Sequence, residues 1–403
     1  MKSPQQTRTM MQKVHSLTGR ITMDMMRKAY RNVRRNRGAA GIDQVSVRRF
    51  GANLEQNLQD LMRDLKTGVF QPLPLRRTYI PKSPTQQRPL GIPVVRDRVA
   101  QDVVRQLLEP VFTPRFHARS FGFIRGRNCH QAIHDLLEAK SSGLRWVVDA
   151  DIRSFFDRIP HGLISRLLSE VVADGNILRI VERFLRSGVM EDGHCRPTTE
   201  GTPQGGVISP LLANLVLNQL DWRLEQAGYV FVRYADDLVV LCASKPEAEE
   251  ALALVRAVIE TDMGLQLHPD KTRVVHARDG FDFLGFRITT RGVRMRDQAV
   301  ERFKTTIRDL TVRSHNLDEA AIEAINRVIR GTVNYFGVRY ATVKTQLAAL
   351  DRFVRSRLRY MKYKRIWKTD RRRLRNKHLA HRGLLACLDL WPAVRRRPIR
   401  SPA

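Results

Sequence analysis

The sequence predicts an α+β fold that is followed by a largely helical C-terminal part. Up to about residue 290, runs of strand-like composition alternate with segments of helical periodicity. Two apolar runs at 229–233 and 238–241 flank a short turn and predict a central antiparallel hairpin. Beyond about residue 295 the apolar residues recur at helical spacing. Alternating strands and helices around a hairpin favour an α+β body over a doubly wound sheet.

The individual elements follow from this spacing and from the residues that stop each run. Prolines 81 and 89 predict that the hairpin of residues 78–93 lies at a sheet edge, because proline cannot donate to a ladder. Pro110 is expected to stop the helix before it. In chain order we predict a helix within 1–40, a helix over 50–67, strands over 78–82 and 88–93, a helix over 97–109, a strand over 145–152, helices over 163–187 and 211–224, strands over 229–233 and 238–241, a helix over 246–263, strands near 273–275 and 281–288, and helices after 295, including 346–363.

The charge of the chain indicates a polyanionic partner. Its 403 residues contain 71 lysines and arginines against 40 acids, a net charge of +31. A hydrophobic content of 42% makes a disordered polybasic chain a poor interpretation. Residues 1–40 carry a net +9 and residues 352–403 a net +16, so the charge lies mostly at two basic ends. Nucleic acid and an anionic membrane are the candidate partners.

Several protein classes have no support in the sequence. No apolar run is long enough to span a bilayer, and the N-terminus lacks an apolar signal core, so we expect a cytoplasmic protein; the family resemblance described below then leaves no membrane partner. The four cysteines lie far apart in the sequence, which indicates neither a disulfide framework nor a zinc site.

Two consecutive carboxylates, Asp236 and Asp237, are predicted at the tip of the central hairpin. Like charges so close raise one another's pKa unless a cation lies between them, and Mg²⁺ is the hard cation that carboxylates prefer. An ordinary Asp-Asp turn is the alternative. Asp149 and Asp151 alternate on an earlier strand and point to one face of it. A carboxylate from that strand could complete a two-metal site, with the metals roughly 4 Å apart.

In these carboxylates and in a series of further motifs, the chain resembles the group II intron reverse transcriptase/maturase family. The resemblance covers roughly residues 20–290 and continues in a motif at 331–336. Its blocks occur in the family's order: Gly41-Ile-Asp43, Ile80-Pro-Lys82, Arg88-Pro-Leu-Gly-Ile-Pro93, Asp97-Arg-Val-x-Gln101, Leu108-Glu-Pro110, Ser120-Phe-Gly-Phe123, Asp151-Ile-x-x-Phe-Phe156, Gly201-Thr-Pro-Gln-Gly-Gly-Val-Ile-Ser-Pro-Leu-Leu-Ala-Asn214, Tyr234-Ala-Asp-Asp237, Phe283-Leu-Gly-Phe286 and Gly331-Thr-Val-Asn-Tyr-Phe336.

The resemblance implies a right-hand polymerase that copies RNA into DNA. Its implied substrates are dNTPs, its implied partners are an RNA template, a DNA primer and a group II intron RNA, and its implied cofactor is a pair of Mg²⁺ ions. The implied domains are a basic extension over 1–40, fingers and palm over 41–290, a helical thumb or maturase domain over 291–363, and a short basic DNA-binding-like tail over 364–403 without a nuclease domain.

The resemblance also assigns roles within the predicted active site. Asp151 and Asp236 would be direct metal ligands, and Asp237 would have a weaker or electrostatic role. Asp149 and Asp157 are rival ligands. Phe156 would be a steric gate that rejects a ribose 2′-hydroxyl. Four further residues would bind the incoming nucleotide: Lys82 and Arg88 on the fingers hairpin, Gln204 in the Pro-Gln-Gly turn, and Lys271.

Basic residues are the predicted nucleic-acid contacts. Arg125 and Arg127 would touch template phosphates, although the family's usual proline is missing from Gly122-Phe-Ile-Arg-Gly-Arg127. On the amphipathic helix 346–363, a basic stripe lies opposite an apolar face and would hold the template–primer duplex. Its members are Arg352, Arg355, Arg359 and Lys362.

Two other functions stay open at this stage. A dead polymerase scaffold could serve as a non-catalytic RNA-binding splicing factor, although Asp151, Asp236 and Asp237 are intact. A free-standing relative could instead act in phage defence, CRISPR adaptation or DNA repair.

Overall fold

The structure is a computed structural model that describes residues 13–83, 86–203, 205–312, 314, 316–365, 367 and 369–396. Its α-helices are α1 (Met23–Arg35), α2 (Val47–Phe50), α3 (Leu54–Thr67), α4 (Val95–Phe112), α5 (Cys129–Ser141), α6 (Phe155–Arg158), α7 (His161–Val171), α8 (Gly175–Leu185), α9 (Ser209–Gln226), α10 (Lys245–Arg256), α11 (Asp297–Leu310), α12 (Glu319–Phe336), α13 (Lys344–Tyr363), α14 (Asp370–Arg373), α15 (Asn376–His381) and α16 (Cys387–Arg395). Its strands are β1 (Leu75–Ser83), β2 (Gln86–Ile92), β3 (Trp146–Ala150), β4 (Val189–Glu191), β5 (His194–Arg196), β6 (Val230–Tyr234), β7 (Asp237–Cys242), β8 (Arg273–His276), β9 (Phe281–Phe283), β10 (Phe286–Thr289) and β11 (Gly292–Met295).

The chain divides into two compact units. The first contains the described residues up to Asn128, together with Val148–Leu241 and Pro246–Arg273. The second contains Cys129–Val147, Cys242–Lys245 and the described residues from Val274 onward. The mixture of sheets and helices confirms the predicted α+β class.

A four-stranded sheet in the order β2-β1-β4-β5 carries the predicted fingers hairpin. β1 and β2 pair antiparallel, with Tyr79 opposite Pro89 and Pro81 opposite Gln87. β2 is an edge strand, and β1 pairs with β4 at its start, at Leu75 and Arg76. The prolines therefore lie where no ladder bond is needed, as the sequence predicted.

Helix α4 connects several parts of the first unit through buried polar side chains. Asp97 accepts the Leu73 N–H at 2.7 Å, ahead of β1. Arg98 donates to the Ala39 carbonyl at 2.6 Å, and Gln101 accepts the Val207 N–H at 2.7 Å. Asp102 accepts from Asn32 of α1 at 3.0 Å. The block Asp97-Arg-Val-x-Gln101 thus fixes three loops around α4, and the adjacent Asp102 fixes α1, because buried polar groups require partners.

A second four-stranded sheet, in the order β6-β7-β3-β8, carries the central hairpin. β6 and β7 pair antiparallel from Val230 opposite Leu241 to Tyr234 opposite Asp237. The hairpin strands are buried along most of their length, and the largely buried helix α9 packs against β6. The predicted hairpin is confirmed, with its turn at Ala235 and Asp236.

The second unit joins a three-stranded sheet, in the order β11-β10-β9, to a group of helices. Phe286 packs on Tyr335 and Phe336 of α12, with ring centroids 5.6 and 4.9 Å apart. The Tyr335 hydroxyl donates to the Leu284 carbonyl at 2.8 Å. Two of the sequence blocks, Phe283–Phe286 and Gly331–Phe336, therefore meet in one apolar cluster.

Helix α13 has the amphipathic character that the sequence predicted. Leu347, Leu350, Val354 and Met361 are all buried. A fifth buried residue, Asp351, accepts the backbone N–H groups of Cys387 and Leu388 at 2.7 and 3.2 Å and so caps α16. In the part of the chain that the structure describes, no helix is both long enough and apolar enough to cross a membrane.

Three expectations about element boundaries were wrong. α4 runs through Pro110 to Phe112, since a proline near a helix end forgoes only one main-chain bond. The helix predicted over 163–187 is two helices, because Asp174 accepts the N–H groups of Asn176 and Ile177 and starts α8. The strand predicted over 281–288 is two strands, β9 and β10, because Leu284 and Gly285 between them have positive φ.

Asp97 generates a prediction about stability, because burial raises its pKa from 3.8 to about 6, despite the opposing charge of Arg96. The folded state then holds the proton more tightly than the unfolded state, so ionisation costs stability as pH rises from about 4 to 6. Asp97→Asn keeps an acceptor for the Leu73 N–H and removes that cost. The free energy of unfolding of the variant, measured in urea, should exceed that of wild type by an amount that grows between pH 4.5 and 7.5. This difference should reach up to about 3 kcal/mol at pH 7.5.

The exposed carboxylate Asp24, whose side chain is 93% exposed, provides the control. Asp24→Asn should show no comparable dependence on pH. A difference between Asp97→Asn and wild type that stays constant from pH 4.5 to 7.5 would contradict the prediction.

Candidate active site

The hairpin tip presents Asp236 and Asp237 in different environments. Tyr234 pairs with Asp237, so Ala235 and Asp236 form the turn. Ala235 has φ +57°, a left-handed conformation that is uncommon for a residue with a side chain. Asp236 is half-buried and Asp237 is exposed at the start of β7. The strained turn therefore directs only one of the two carboxylates into the protein.

A buried ion pair beneath the turn holds it in place. The guanidinium of Arg233, on β6, donates to both carboxylate oxygens of Asp221 on α9, at 2.7 and 2.5 Å. Their side chains are 1% and 0% exposed. The third guanidinium nitrogen donates to the Ala235 carbonyl at 2.8 Å and to Asn214 Oδ1 at 3.0 Å. One arginine therefore links α9 to the main chain of the catalytic turn.

The segment Ser120–Phe123 packs directly against the same turn. A side-chain carbon on Gly122 would overlap the backbone of Ala235, so this close approach requires glycine. The Asn214 amide donates to the Gly122 carbonyl at 2.8 Å, and the Phe121 N–H donates to the Arg233 carbonyl at 2.9 Å. The turn is thus held from both sides by main-chain contacts.

The pKa of Asp236 is raised, mainly by burial and also by the negative charge of Asp151. The positive charges of Arg88 and Lys271 oppose this shift. Asp236 borders a small void lined by apolar side chains, among them Ile152, Leu217 and Leu238. This lining gives the carboxylate little solvation. Four residues that the sequence selected from separate segments therefore act on one another electrostatically.

Two cations of the chain pair with the earlier carboxylates. Lys271 forms an ion pair with Asp151, whose side chain is 23% exposed. Arg273 lies 3.4 Å from Asp149. The rival ligand Asp157 lies on α6, and burial raises its pKa while Arg77, Arg88 and Arg158 oppose the shift. The charge of Asp151 acts on Asp236.

The donor set fits a hard divalent cation that is completed by substrate. Among the described residues, no three histidine, cysteine or acidic side chains come close enough to hold a metal by themselves. Asp151 and Asp236 offer carboxylate oxygens alone. Mg²⁺ is commonly bound by one or two carboxylates together with the phosphates of a substrate. A pair of carboxylates is therefore sufficient for the protein's share of such a site.

The structure describes some of the predicted nucleotide-binding side chains, and others lie outside the described residues. Phe156 is half-buried on α6, with its ring 5.5 Å from that of Phe155. Arg88 is exposed on β2 and acts on both Asp157 and Asp236. Gln204 lies outside the described residues, and so does the side chain of Lys82 on β1. The roles of all four in nucleotide binding stay predictions.

The predicted nucleic-acid contacts differ in their exposure and in the hydrogen bonds that they make within the protein. Arg125 is exposed, whereas Arg127 donates to the Ser120 carbonyl at 2.6 Å and also to that of His117, and so fixes its own loop. On α13, Arg359 donates to the Leu374 carbonyl and to Asn376 Oδ1, at 3.0 and 2.8 Å.

The other members of the α13 stripe are open to varying degrees. Arg352 and Lys362 are exposed, and Arg355 is half-buried. Of the four side chains, Arg352 and Lys362 are therefore the most accessible to a phosphate.

Reasoning from the sequence missed the residues that position the turn. Arg233 was noted only as part of an apolar strand, and Asp221 only as part of an apolar helix. A single acid within the apolar run Leu211–Leu224 was a usable signal, because a buried carboxylate requires a partner. The identity of that partner depends on contacts across the fold.

The comparisons with known proteins agree with this geometry. Residues 80–288 match the family described as "Reverse transcriptase (RNA-dependent DNA polymerase)". Residues 300–382 match "Group II intron, maturase-specific domain". The first match covers half of the chain and contains Asp151, Asp236 and Asp237.

Among the relatives that the chain matches, two are named for introns. Protein YkfC of Escherichia coli (strain K12) is 34% identical over 286 residues, which are 62% of this chain and 75% of YkfC. The group II intron-encoded protein LtrA of Lactococcus lactis is 37% identical over 219 residues, 54% of this chain and 36% of LtrA. A putative COX1/OXI3 intron 2 protein of Saccharomyces cerevisiae is 25% identical over 325 residues, 66% of this chain and 38% of that protein. The chain thus covers only about a third of the latter two.

The fold and the site define an RNA-directed DNA polymerase, a nucleotidyltransferase of a class that uses divalent metal ions. More narrowly, the chain belongs to the group II intron reverse transcriptase/maturase family. Neither the non-catalytic splicing factor nor the free-standing defence or repair enzyme is favoured by these comparisons.

Arg233 generates a prediction that separates stability from positioning. Arg233→Met leaves the Asp221 carboxylate buried without its partner and should cost about 3–5 kcal/mol in the free energy of unfolding. Adding Asp221→Leu removes both charges and should restore most of that loss. Primer extension should stay impaired in the double variant, because the Ala235 carbonyl and Asn214 still lack their donor. Urea unfolding and single-nucleotide extension measure the two effects.

A double variant with wild-type stability and wild-type extension would show that the pair does not position the turn. Arg63→Met, at an arginine whose side chain is 65% exposed, is the control for a lost surface charge and should change neither property.

Proposed function

We propose that Asp151 and Asp236 hold two Mg²⁺ ions with which the protein extends a primer 3′-hydroxyl by one dNTP at a time. The observation that carries this proposal is that the charge of Asp151, directly after β3, acts on Asp236 at the strained tip of a separate hairpin. Asp237, exposed beside them, adds negative charge or completes the coordination. When bound, such ions activate the attacking hydroxyl and stabilise the leaving phosphate oxygen.

The chain's own cations would act on the nucleotide. Arg88 is exposed and its charge acts on Asp236, which supports a role for it in neutralising the triphosphate. Lys271 pairs with Asp151 in this structure and could turn to a phosphate oxygen or donate a proton to pyrophosphate. Lys82 and Gln204 complete the proposed nucleotide contacts. Phe156 would lie under the sugar and reject a 2′-hydroxyl.

The proposed polymer partners are an RNA template and a DNA primer. Arg352 and Lys362 are exposed on the polar face of α13, opposite its buried apolar face. An A-form or hybrid duplex is recognised mainly through its backbone, which suits such a stripe of point charges. Arg125 would add a contact to the template.

A role in splicing is the second part of the proposal. The maturase-specific domain over 300–382 supports it, and so does the name of LtrA as a group II intron-encoded protein. We propose that the chain binds the intron RNA that encodes it and assists its folding. A splicing assay with the flanking intron would test this part independently of DNA synthesis.

Asp236→Asn provides the test of the active site. The amide keeps the size of the side chain but removes the charge that would hold metal, so extension of a DNA primer on an RNA template should fall at least about a hundredfold. Binding of the same template–primer should persist. Asp24→Asn, at the exposed carboxylate on α1, should extend normally. Unchanged extension by Asp236→Asn would overturn the assignment. Absence of extension by wild type with Mg²⁺, while RNA binding persists, would favour the non-catalytic splicing factor.

The basic stripe on α13 generates a prediction about salt. Arg352→Ala removes about one phosphate contact, so the slope of log affinity against log salt concentration should become shallower by roughly one, with affinity lowered at every salt concentration. Fluorescence anisotropy of a labelled RNA–DNA duplex measures both quantities. Arg63→Ala is the matched control on α3. Equal slopes for Arg352→Ala and wild type would remove Arg352 from the interface.

A further inference from the structure

A buried histidine lies behind the proposed steric gate. His161 begins α7, is 7% exposed, and places Nε2 2.8 Å from the carbonyl oxygen of Gly201. A carbonyl oxygen only accepts, so Nε2 carries the hydrogen and donates it. Burial lowers the pKa of the imidazole, which favours the neutral ring. No role in the reaction proposed above has been given to this side chain.

The main chain that His161 holds is itself bonded to the gate helix α6. The Gly201 N–H donates to the Ile159 carbonyl at 2.7 Å, and the next N–H, that of Thr202, donates to the Phe156 carbonyl at 2.6 Å. Gly201 has φ +87°, and a side-chain carbon there would lie 2.7 Å from the Asp157 carbonyl oxygen. Residues 201–202 therefore press directly on the backbone that carries the Phe156 ring.

Helix α6 depends on such outside contacts because it is only one turn long, Phe155–Arg158. It follows Ser154, which has φ +48°. Such a short helix has almost no internal hydrogen bonding to define its position. The bond from Thr202 and the packing of Gly201, together with the buried neighbour Phe155, therefore set the placement of the Phe156 ring.

We propose that His161 is a positioning residue for sugar selection: by fixing the Gly201 carbonyl, it sets the height of the Phe156 ring under the nucleotide sugar. This inference rests on the proposed role of Phe156 as the gate. Loss of the bond would let residues 201–202 and α6 shift together, which would open space for a 2′-hydroxyl.

The test compares two substitutions at His161. His161→Leu keeps a side chain of similar bulk without the donor, whereas His161→Gln can present an amide N–H near the position of Nε2. The readout is the ratio of kcat/KM for a dNTP to that for the corresponding NTP in single-nucleotide extension. His161→Leu should lower this ratio roughly three- to tenfold, the equivalent of one net hydrogen bond, and His161→Gln should restore most of it.

A merely structural role would leave that ratio unchanged. A variant that is partly unfolded loses activity toward both nucleotides in the same proportion. His194→Leu is the matched control, because His194 also bonds a main-chain carbonyl, that of Asp192 at 3.0 Å, but lies exposed on β5. Its ratio should equal that of wild type. If His161→Leu does not fold, His161→Asn replaces it, since the shorter amide cannot reach Gly201.

Phe156→Val separates failure of the inference from failure of its premise. If Phe156→Val leaves the ratio unchanged, the gate assignment is wrong and the proposal about His161 falls with it. If Phe156→Val lowers the ratio while a folded His161→Leu or His161→Asn keeps the wild-type ratio, only the proposal about His161 is overturned. A lowered ratio in both, with rescue by His161→Gln, supports the proposal.

Discussion

The placement of Asp236 beside Asp151 in a poorly solvated pocket is the constraint on which the rest of the active site depends. Burial and like charge both favour protonation, yet a metal ligand must be ionised. Two cations of the chain oppose protonation of Asp236: Lys271, which pairs with Asp151, and Arg88, whose charge acts on Asp236. A molecule with a net charge of +31 thus brings Asp151 and Asp236 close enough to act on one another, with cations near both.

Charge alone does not hold the carboxylates in place; buried polar contacts with the main chain do. The Arg233–Asp221 pair reaches the Ala235 carbonyl, and Gly122 packs against the same turn. Helix α4 fixes the loop after Gln204 through a bond between Gln101 and Val207. Each contact satisfies a group that would be costly to bury alone, so each loop has one favoured position.

The sequence predicted those features that depend on local pattern or on family blocks. The hairpin tip with Asp236 and the apolar face of α13 follow from periodicity and are found as expected. The break at Asp174 was missed because a capping acid within an apolar run resembles an ordinary polar position. The short strands β4 and β5 have three residues each, too few for an alternating pattern. The pairing of Arg233 with Asp221 required knowledge of which helix crosses which strand.

Two kinds of residue are therefore distinguished in the site. Residues of the first kind would contact substrates, and residues of the second kind fix the positions of the first. Arg88 and Asp237, which we propose for the first kind, carry charge and are exposed. The second kind is buried and acts through carbonyl oxygens, as Arg233 does on Ala235 and His161 on Gly201. A buried donor fixes a turn whether or not metal or nucleotide is present, because its partner belongs to the same chain. The geometry of the site is therefore a property of the fold, and substrates complete the site without having to build it.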